Sequence, residues 1–207
     1  MGKCSVRYEV CTDTNYYFCG YYLYVYAIKQ MWRYWYCLKI SGVYMKERRD
    51  KVNYYLDLAE AVGQRGTCLR RNYGAVIVNN DEVVSTGYVG APRGRKNCSD
   101  IGKCIRNELN IPRGERYELC RSVHAEANAI ISASRSQMLG ADLYLAGVDA
   151  ETGEYIPNSN SCSMCKRQII NAGIRRVYVR DNKNDYREVD VQEWIDNDES
   201  LTGKMGY

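Results

Sequence analysis

The chain has one histidine among its 207 residues, His124, in the stretch RSVHAEANAI. It stands two residues before Glu126, where the pattern predicts that a helix begins. Most single histidines are packed or solvated side chains without chemistry. Whether His124 has a chemical role therefore depends on whether metal ligands or catalytic partners occur elsewhere in the chain.

Long hydrophobic runs and a broad excess of positive charge are also missing. The most apolar early run, YYLYVYAI, is too short to cross a bilayer and lacks the small-residue cleavage site of a secretory signal. The chain has 29 basic and 25 acidic residues. Positions 1–44 hold five of the basic and two of the acidic residues, which leaves 24 basic and 23 acidic residues in the rest of the chain. The short run argues against a membrane partner. A body this close to neutral argues against stable nucleic-acid binding.

Cysteine, by contrast, is plentiful, with ten in the chain. A chain of this length can bury its own core, so it does not require a disulfide framework. We therefore expect a reducing, cytoplasmic setting. There, cysteines more often bind metal or serve catalysis than form bridges.

The first 44 residues differ from the rest, with ten of the twenty tyrosines and four of the ten cysteines. Neither helical nor strand periodicity persists through them. They are a packed extension, a peripheral membrane segment, or a stretch upstream of a natural start at Met45, and we favour the last. The predicted domain boundaries are thus 1–44 for the extension and 45–207 for the main domain.

From Met45 onward, predicted helices alternate with predicted strands, which indicates an α/β domain with a sheet between helical layers. Residues 91–122 read as a long polar connection, of the kind that is functional or tied down in a compact domain. The predicted elements are a helix in MKERRDKVNYYLDLAEAV, two strands in GAVIVNNDEVVSTGYVG, a helix from about His124 to Gln137, a strand in ADLYLAGV, a helix in CSMCKRQIINAGI, a strand in RRVYVRD and a short helix near VQEWID.

Partners for His124 appear in the stretch SCSMC. Cys162 and Cys165 are three residues apart at a predicted helix start, so their sulfurs share one face, and a helix N-terminus favours the thiolate. One imidazole and two thiolates suit tetrahedral Zn²⁺ and leave its fourth position for water, as in catalytic sites. Glu126 is then a carboxylate beside the metal that need not bind it and can carry protons.

A simpler interpretation is that His124 is a capped surface residue and that the two cysteines are merely buried. A Cys-x-x-Cys motif without other ligands would favour this simpler interpretation. The combination of His-x-Glu with a later Cys-x-x-Cys is instead the signature of zinc nucleobase deaminases.

At these residues the chain resembles the cytidine/deoxycytidylate deaminase superfamily, and most closely its deoxycytidylate (dCMP) deaminase branch. The resemblance runs from about Tyr54 to Asp181. It rests on YLDLAEAV, YGAVIV, STGYVGAPRG, HAEANAI, CSMC and IINAGIRRVYV. It implies a three-layer α/β/α domain with a central mixed sheet, and hydrolysis of dCMP to dUMP and ammonia. It also implies a homo-oligomer.

The resemblance further implies a role for each site residue. His124, Cys162 and Cys165 would bind zinc, and Glu126 would shuttle protons. The backbone N–H of Ala125 would face the pyrimidine carbonyl, and the turn formed by Gly87, Tyr88 and Val89 would lie against the sugar.

Two positions depart from the family pattern. Val89 stands where the family usually has Asn or another hydrogen-bonding residue, which puts sugar recognition and substrate identity in question. Ser161 replaces a common Pro before the first Cys of the motif. That Pro is a rigid helix-start residue and not a ligand, so little chemistry should change.

Further cysteines and basic residues cluster before His124. Cys68, Cys98, Cys104 and Cys120 either bind a second, structural zinc around 91–122 or are unpaired thiols. One or two of the basic residues there would bind a 5′-phosphate, unless they form only a solvated loop. Arg135 would lie almost in phase with His124 on one long helix, either at an interface or in solvent. The basic candidates are Arg93, Arg95, Lys96, Arg113, Arg116 and Arg121.

Two other functions remain open at the level of sequence. An RNA-acting adenosine deaminase shares both motifs, but the near-neutral body argues against it. A zinc-binding scaffold that keeps the fold without the reaction is the other alternative. Retention of Glu126 argues against the scaffold, while Val89 mildly favours it or an altered substrate.

Overall fold

The computed structural model describes residues 48–112 and 114–198. The predictions for residues 1–44 and for Arg113 lie outside these ranges. No helix within them is long and apolar enough to span a membrane.

Five strands form one mixed sheet in the order β2-β1-β3-β4-β5. Neighbouring strands are antiparallel except β3 and β4, which are parallel. The central strands have continuous buried apolar runs because both of their faces are covered. The strands are β1 (Arg71–Asn79), β2 (Glu82–Tyr88), β3 (Asp142–Asp149), β4 (Arg176–Arg180) and β5 (Tyr186–Asp190).

Helices cover the two faces of the sheet, as predicted. Helix α1 (Lys51–Gly63) begins at Asp50, whose side chain accepts a hydrogen bond from the Asn53 amide at 2.9 Å. It buries Tyr55, Leu56 and Ala59 against one face. The other face packs against three of the remaining helices, α4 (Ala125–Ile131), α6 (Ser163–Ala172) and α7 (Val191–Asp196). The fold is thus the predicted three-layer α/β/α domain with a central mixed sheet.

The predicted helix from His124 to Gln137 is wrong in its extent. Helix α4 ends at Ile131, and a separate turn, α5 (Arg135–Met138), begins after Ser134. Ser134 and Gln137 form a capping box, which starts a new helix. Arg135 consequently does not continue the helix of His124, and its Nε donates to the Asn171 carbonyl oxygen at 3.0 Å.

Residues 91–122 contain regular structure that the sequence pattern did not predict. The connection contains three short helical segments: α2 (Cys98–Ile101), α3 (Ile105–Glu108) and a 3₁₀ turn at Tyr117–Leu119. The connection is tied to the sheet region, since Gly90 and Val123 exchange two backbone hydrogen bonds of 3.1 and 2.8 Å. Strand β5 was also not predicted.

Candidate active site

Two helix N-termini bring the predicted metal ligands together. His124 is the N-cap of α4, and its carbonyl oxygen accepts a hydrogen bond from the Asn128 amide at 3.0 Å. Cys162 is the N-cap of α6, and Cys165 lies in the first turn of that helix. Ala129 and Ile169 pack into the same core cluster, and the ligand atoms at the two helix starts converge, so the two helices start side by side.

The donor atoms of His124, Cys162 and Cys165 lie within 4.8 Å of one another. The Nδ1 atom of His124 lies 3.4 Å from each of the two Sγ atoms. Zinc held at ~2.0 Å from nitrogen and ~2.3 Å from sulfur in a tetrahedron separates the two donors by about 3.5 Å. The three residues therefore fit a zinc ion in both chemistry and spacing.

The electrostatics of this cluster favour metal binding. Contact with Cys165, and with His124, lowers the pKa of Cys162 to about 4 in spite of burial. The same contact with Cys162, together with burial, raises the pKa of Cys165. Burial lowers the pKa of His124, but the hydrogen bond with Cys162 and the negative charges of Glu126 and Cys162 together outweigh burial, so the net pKa is raised. The arrangement thus favours the thiolate of Cys162, and the thiolate is the form that binds zinc.

Glu126 lies beside these ligands and is almost fully buried, with 5% of its surface exposed. Burial raises the pKa of its carboxyl, opposed by the nearby His124 and reinforced by Cys162. A carboxyl with a raised pKa is suited to accept and release a proton near neutral pH.

A cavity of about 80 Å³ opens onto His124, Glu126 and Cys162. Ala125 and Val89, two of the four predicted substrate-binding residues, also line it. Val89 is held by its backbone, which donates to Tyr73 and accepts from Thr67. A valine side chain carries only methyl groups and cannot form a hydrogen bond.

The other two predicted substrate-binding residues lie differently. Tyr88 is 38% exposed, and its backbone carbonyl oxygen accepts a hydrogen bond from the Asn128 side chain at 2.7 Å. Gly87 packs against the backbone of α4, where an added Cβ would lie 2.3 Å from both the Ala125 oxygen and the Ala129 nitrogen. The absence of a side chain at Gly87 therefore sets how closely the helix of His124 approaches β2.

Gly87→Ala should consequently displace α4 and impair the site. We expect a destabilisation of about 1–3 kcal/mol from overpacking, with a loss of activity on top of it. Thermal unfolding and turnover measure the two effects. Gly94→Ala is the matched control, because open space surrounds Gly94 and only its positive φ opposes alanine. Equal activity in the two variants would contradict a positioning role for the Gly87 contact.

The four remaining cysteines of the domain do not form a second cluster of this kind. Within the described ranges, His124, Cys162 and Cys165 are the only group of three or more such ligands whose donor atoms converge. Three of the four, Cys68, Cys104 and Cys120, do line the cavity. Cys98 is buried elsewhere, with its sulfur 3.8 Å from the Ser122 hydroxyl.

The arginines of the cavity differ from those proposed on sequence grounds. Arg70, Arg71 and Arg106 line it. Arg93, Arg95 and Lys96 are exposed outside it. The two other described candidates are also engaged elsewhere: Arg116 pairs with Glu118 at 3.0 Å, and Arg121 donates to the Lys96 carbonyl oxygen.

Tyr117 and Asn160 line the cavity as well, and the sequence pattern singled out neither. The Tyr117 ring meets the His124 ring edge-to-face, with centroids 4.9 Å apart. The Asn160 side chain accepts from the Ser161 amide at 2.8 Å, just before the first cysteine. Their positions depend on long-range folding, which local spacing does not encode.

Comparison with known proteins agrees with this geometry. The sequence profile of the family described as the cytidine and deoxycytidylate deaminase zinc-binding region matches residues 49–180. The deoxycytidylate deaminase of Mycobacterium phage D29 is 34% identical over 134 residues, which cover 63% of this chain and 94% of that protein. The deoxycytidylate deaminase of Schizosaccharomyces pombe is 30% identical over 133 residues, 64% of this chain but only 37% of that longer protein.

Among solved structures, one similar to this chain is the apo dCMP deaminase of the cyanophage S-TIM5. Its TM-score is 0.44 and its sequence identity 24%, over 64% of this chain and 85% of that one.

Proposed function

Because the chain belongs to the cytidine and deoxycytidylate deaminase zinc-binding family, we propose that it deaminates dCMP to dUMP and ammonia by zinc-dependent hydrolysis. The observation that carries this proposal is the convergence of His124, Cys162 and Cys165 beside a buried carboxylate that is not needed as a ligand. We assign dCMP as the substrate because the named relatives are deoxycytidylate deaminases. One of them is the enzyme of Mycobacterium phage D29, of which the match covers 94%.

In the proposed reaction, His124, Cys162 and Cys165 hold the zinc ion. When bound, zinc supplies a water whose pKa is lowered towards neutrality. Glu126 accepts a proton from that water and delivers it to N3 of the cytosine ring. The water oxygen bonds to C4, and Glu126 then carries the remaining proton of that oxygen to the amino group, so that the C4–N bond breaks, the C4 carbonyl forms and ammonia leaves. The buried position of Glu126 keeps this proton away from bulk water.

Substrate orientation is assigned to the backbone around the cavity. The first amides of a helix lack intrahelical partners, and Ala125 is the first residue of α4. Its N–H is therefore available to the pyrimidine carbonyl. Val89 lies on the cavity wall where the sugar would lie, and offers it only van der Waals contact. The other two residues of the proposed turn, Gly87 and Tyr88, contact α4. They act on the substrate indirectly, by fixing the position of that helix.

Ammonia release from a substrate panel tests the proposal. We expect turnover of dCMP in preference to CMP, dCTP and an adenosine-containing tRNA anticodon stem. Preference for the tRNA stem would favour the RNA-acting alternative. No turnover of any substrate by a folded, zinc-loaded protein would favour the scaffold.

A second, structural zinc on Cys68, Cys98, Cys104 and Cys120 is a further proposal. Three of these residues line one cavity, and the nearby Cys68 and Cys104, after burial, help to raise the pKa of Cys120. Closing this site would require Cys98 to leave Ser122. Two zinc ions per chain in the purified protein is the expected stoichiometry.

We also propose that the chain works as a homo-oligomer in the cytoplasm, with residues 45–207 as the catalytic domain. Large apolar side chains stand exposed at Ile131 and Leu109, 75% and 55% respectively. The six cysteines of the described ranges are free thiols, as a reducing compartment would keep them. Sedimentation analysis of 45–207 beside the full chain tests both the assembly and the boundary.

A further inference from the structure

Two serine hydroxyls are buried without a partner just before the first cysteine of the candidate zinc site. Ser159 is 1% exposed and Ser161 is fully buried. The Oγ atom of each has no hydrogen-bond partner among the described residues. Because a buried hydroxyl has lost its hydrogen bonds to water, leaving it unpaired is unfavourable, and we expect a partner at some stage of function.

The backbone that carries these serines is held in place. The Nη2 atom of Arg187 donates a hydrogen bond to the Ser159 carbonyl oxygen. The Ser161 amide donates to the Asn160 side chain at 2.8 Å, and the next residue, Cys162, is the N-cap of α6. The Ser161 hydroxyl therefore projects from a backbone whose path is fixed.

The Ser161 hydroxyl is a neighbour of Glu126. The 3.4 Å contact between Cys162 Sγ and His124 Nδ1 brings the two helix starts together, and Ser161 and Glu126 with them. Burial is the largest influence on the pKa of Glu126 and raises it, whereas hydrogen bonding with the Ser161 hydroxyl is among the effects that lower it. In this structure the geometry of the two side chains falls short of a full hydrogen bond.

The two residues face different surroundings. Glu126 lines the active-site cavity, whereas Ser161 does not, so Ser161 approaches the carboxyl group from the protein side. In the proposed reaction Glu126 exchanges protons with groups in the cavity, which requires one of its two carboxylate oxygens to face them. A hydroxyl that donates to the other oxygen restricts rotation of the carboxylate and fixes this orientation.

We propose that Ser161 is a positioning residue, whose hydroxyl donates a hydrogen bond to Glu126 during the reaction and so directs the other carboxylate oxygen into the cavity. This inference rests on the proposed function. Ser161 in place of the usual Pro then alters the chemistry of the site, and not only the start of α6, because a proline side chain has no hydroxyl to donate.

Ser161→Ala is expected to lower kcat for dCMP about 10-fold, the scale of a lost hydrogen bond to a charged group. The KM and the zinc content should stay at their wild-type values, because Ser161 neither lines the cavity nor belongs to the predicted ligands. The melting temperature should stay the same or rise, because the variant removes a buried hydroxyl that has no partner in the resting protein. Steady-state ammonia release, metal analysis and thermal unfolding of one preparation measure these quantities.

Ser159→Ala is the matched control, because it removes an equally unpaired and almost equally buried hydroxyl from the same segment. It should keep the wild-type kcat. A wild-type kcat in Ser161→Ala would overturn the proposal, and so would an equal loss of kcat in the two variants. A loss that appears in KM or zinc content, or that accompanies a fall in melting temperature, would show a merely structural role and overturn it as well.

Turnover by the wild-type protein separates this inference from the proposed function. A folded, zinc-loaded wild type that releases no ammonia from dCMP would refute the proposed function, and the role of Ser161 with it. A wild type that deaminates dCMP no faster than Ser161→Ala would refute the role of Ser161 alone.

Discussion

Glu126→Gln is expected to lower kcat for dCMP by about 10⁴-fold, the upper range for removing a general acid–base group. Glutamine keeps the size of the side chain but cannot accept the proton from water or return one to N3 and the leaving amine. Because Glu126 is not needed to hold the metal, zinc content and thermal stability should stay close to wild type. Steady-state ammonia release and metal analysis on the same preparation measure both.

Glu151→Gln provides the matched control for this substitution. Glu151 lies exposed in the turn after β3, so the same chemical change should leave turnover unaffected. Loss of zinc in Glu126→Gln, or retention of more than about a tenth of the activity, would contradict the assignment of Glu126 as a proton carrier.

Cys165→Ser is expected to remove the catalytic zinc and lower activity by at least about 10³-fold. Serine is a poor zinc ligand, and the substitution leaves only His124 and Cys162 in the cluster. Metal analysis after dialysis should find one zinc fewer per chain than in wild type. Added zinc should restore little activity, because the loss is of a ligand and not of metal supply.

Cys98→Ser makes the same exchange away from the active site and serves as the control. It should retain the catalytic zinc and most of the activity. Because Cys98 is one of the proposed ligands of the structural zinc, this variant should lose that ion and unfold at a lower temperature. A loss of activity in Cys98→Ser as large as that in Cys165→Ser would contradict the separation of the two sites.

The metal-binding cluster was predictable because its chemistry is encoded locally. His124 and Glu126 share one helix start, and Cys162 and Cys165 share another, so residue type and spacing were enough. The layers of the fold were also predictable from sequence. The continuous apolar runs of β1 and β3 indicate buried strands, whereas the apolar residues of α1 recur with the helical period. The break after Ile131 was encoded too, in the Ser134–Gln137 capping box, but the longer apolar period obscured it.

The cavity wall could not be predicted in the same way. Arg70 and Arg71 lie at the start of β1, whereas Arg106 lies in the 91–122 connection. The path of that connection depends on tertiary contacts, such as the hydrogen bonds from Arg106 to the carbonyl oxygens of Pro112 and Glu115. The basic residues nearest His124 in sequence, such as Arg116 and Arg121, are engaged elsewhere, with Glu118 and the Lys96 carbonyl oxygen. Strand β5 was missed because its short sequence YREVD has three charged residues and no clean alternation of polar and apolar residues. Only its exposure alternates, as suits an edge strand with one solvated face.

The side-by-side start of α4 and α6 has a consequence for the unfolded chain. Zinc held by His124 and Cys165 joins residues 41 positions apart and encloses all of β3 in the loop between them. A bound ion thus acts as a reversible cross-link, which removes conformational freedom that the unfolded polypeptide otherwise has. The melting temperature should therefore rise with free zinc concentration, so that metal supply sets how long the enzyme survives as well as whether it reacts.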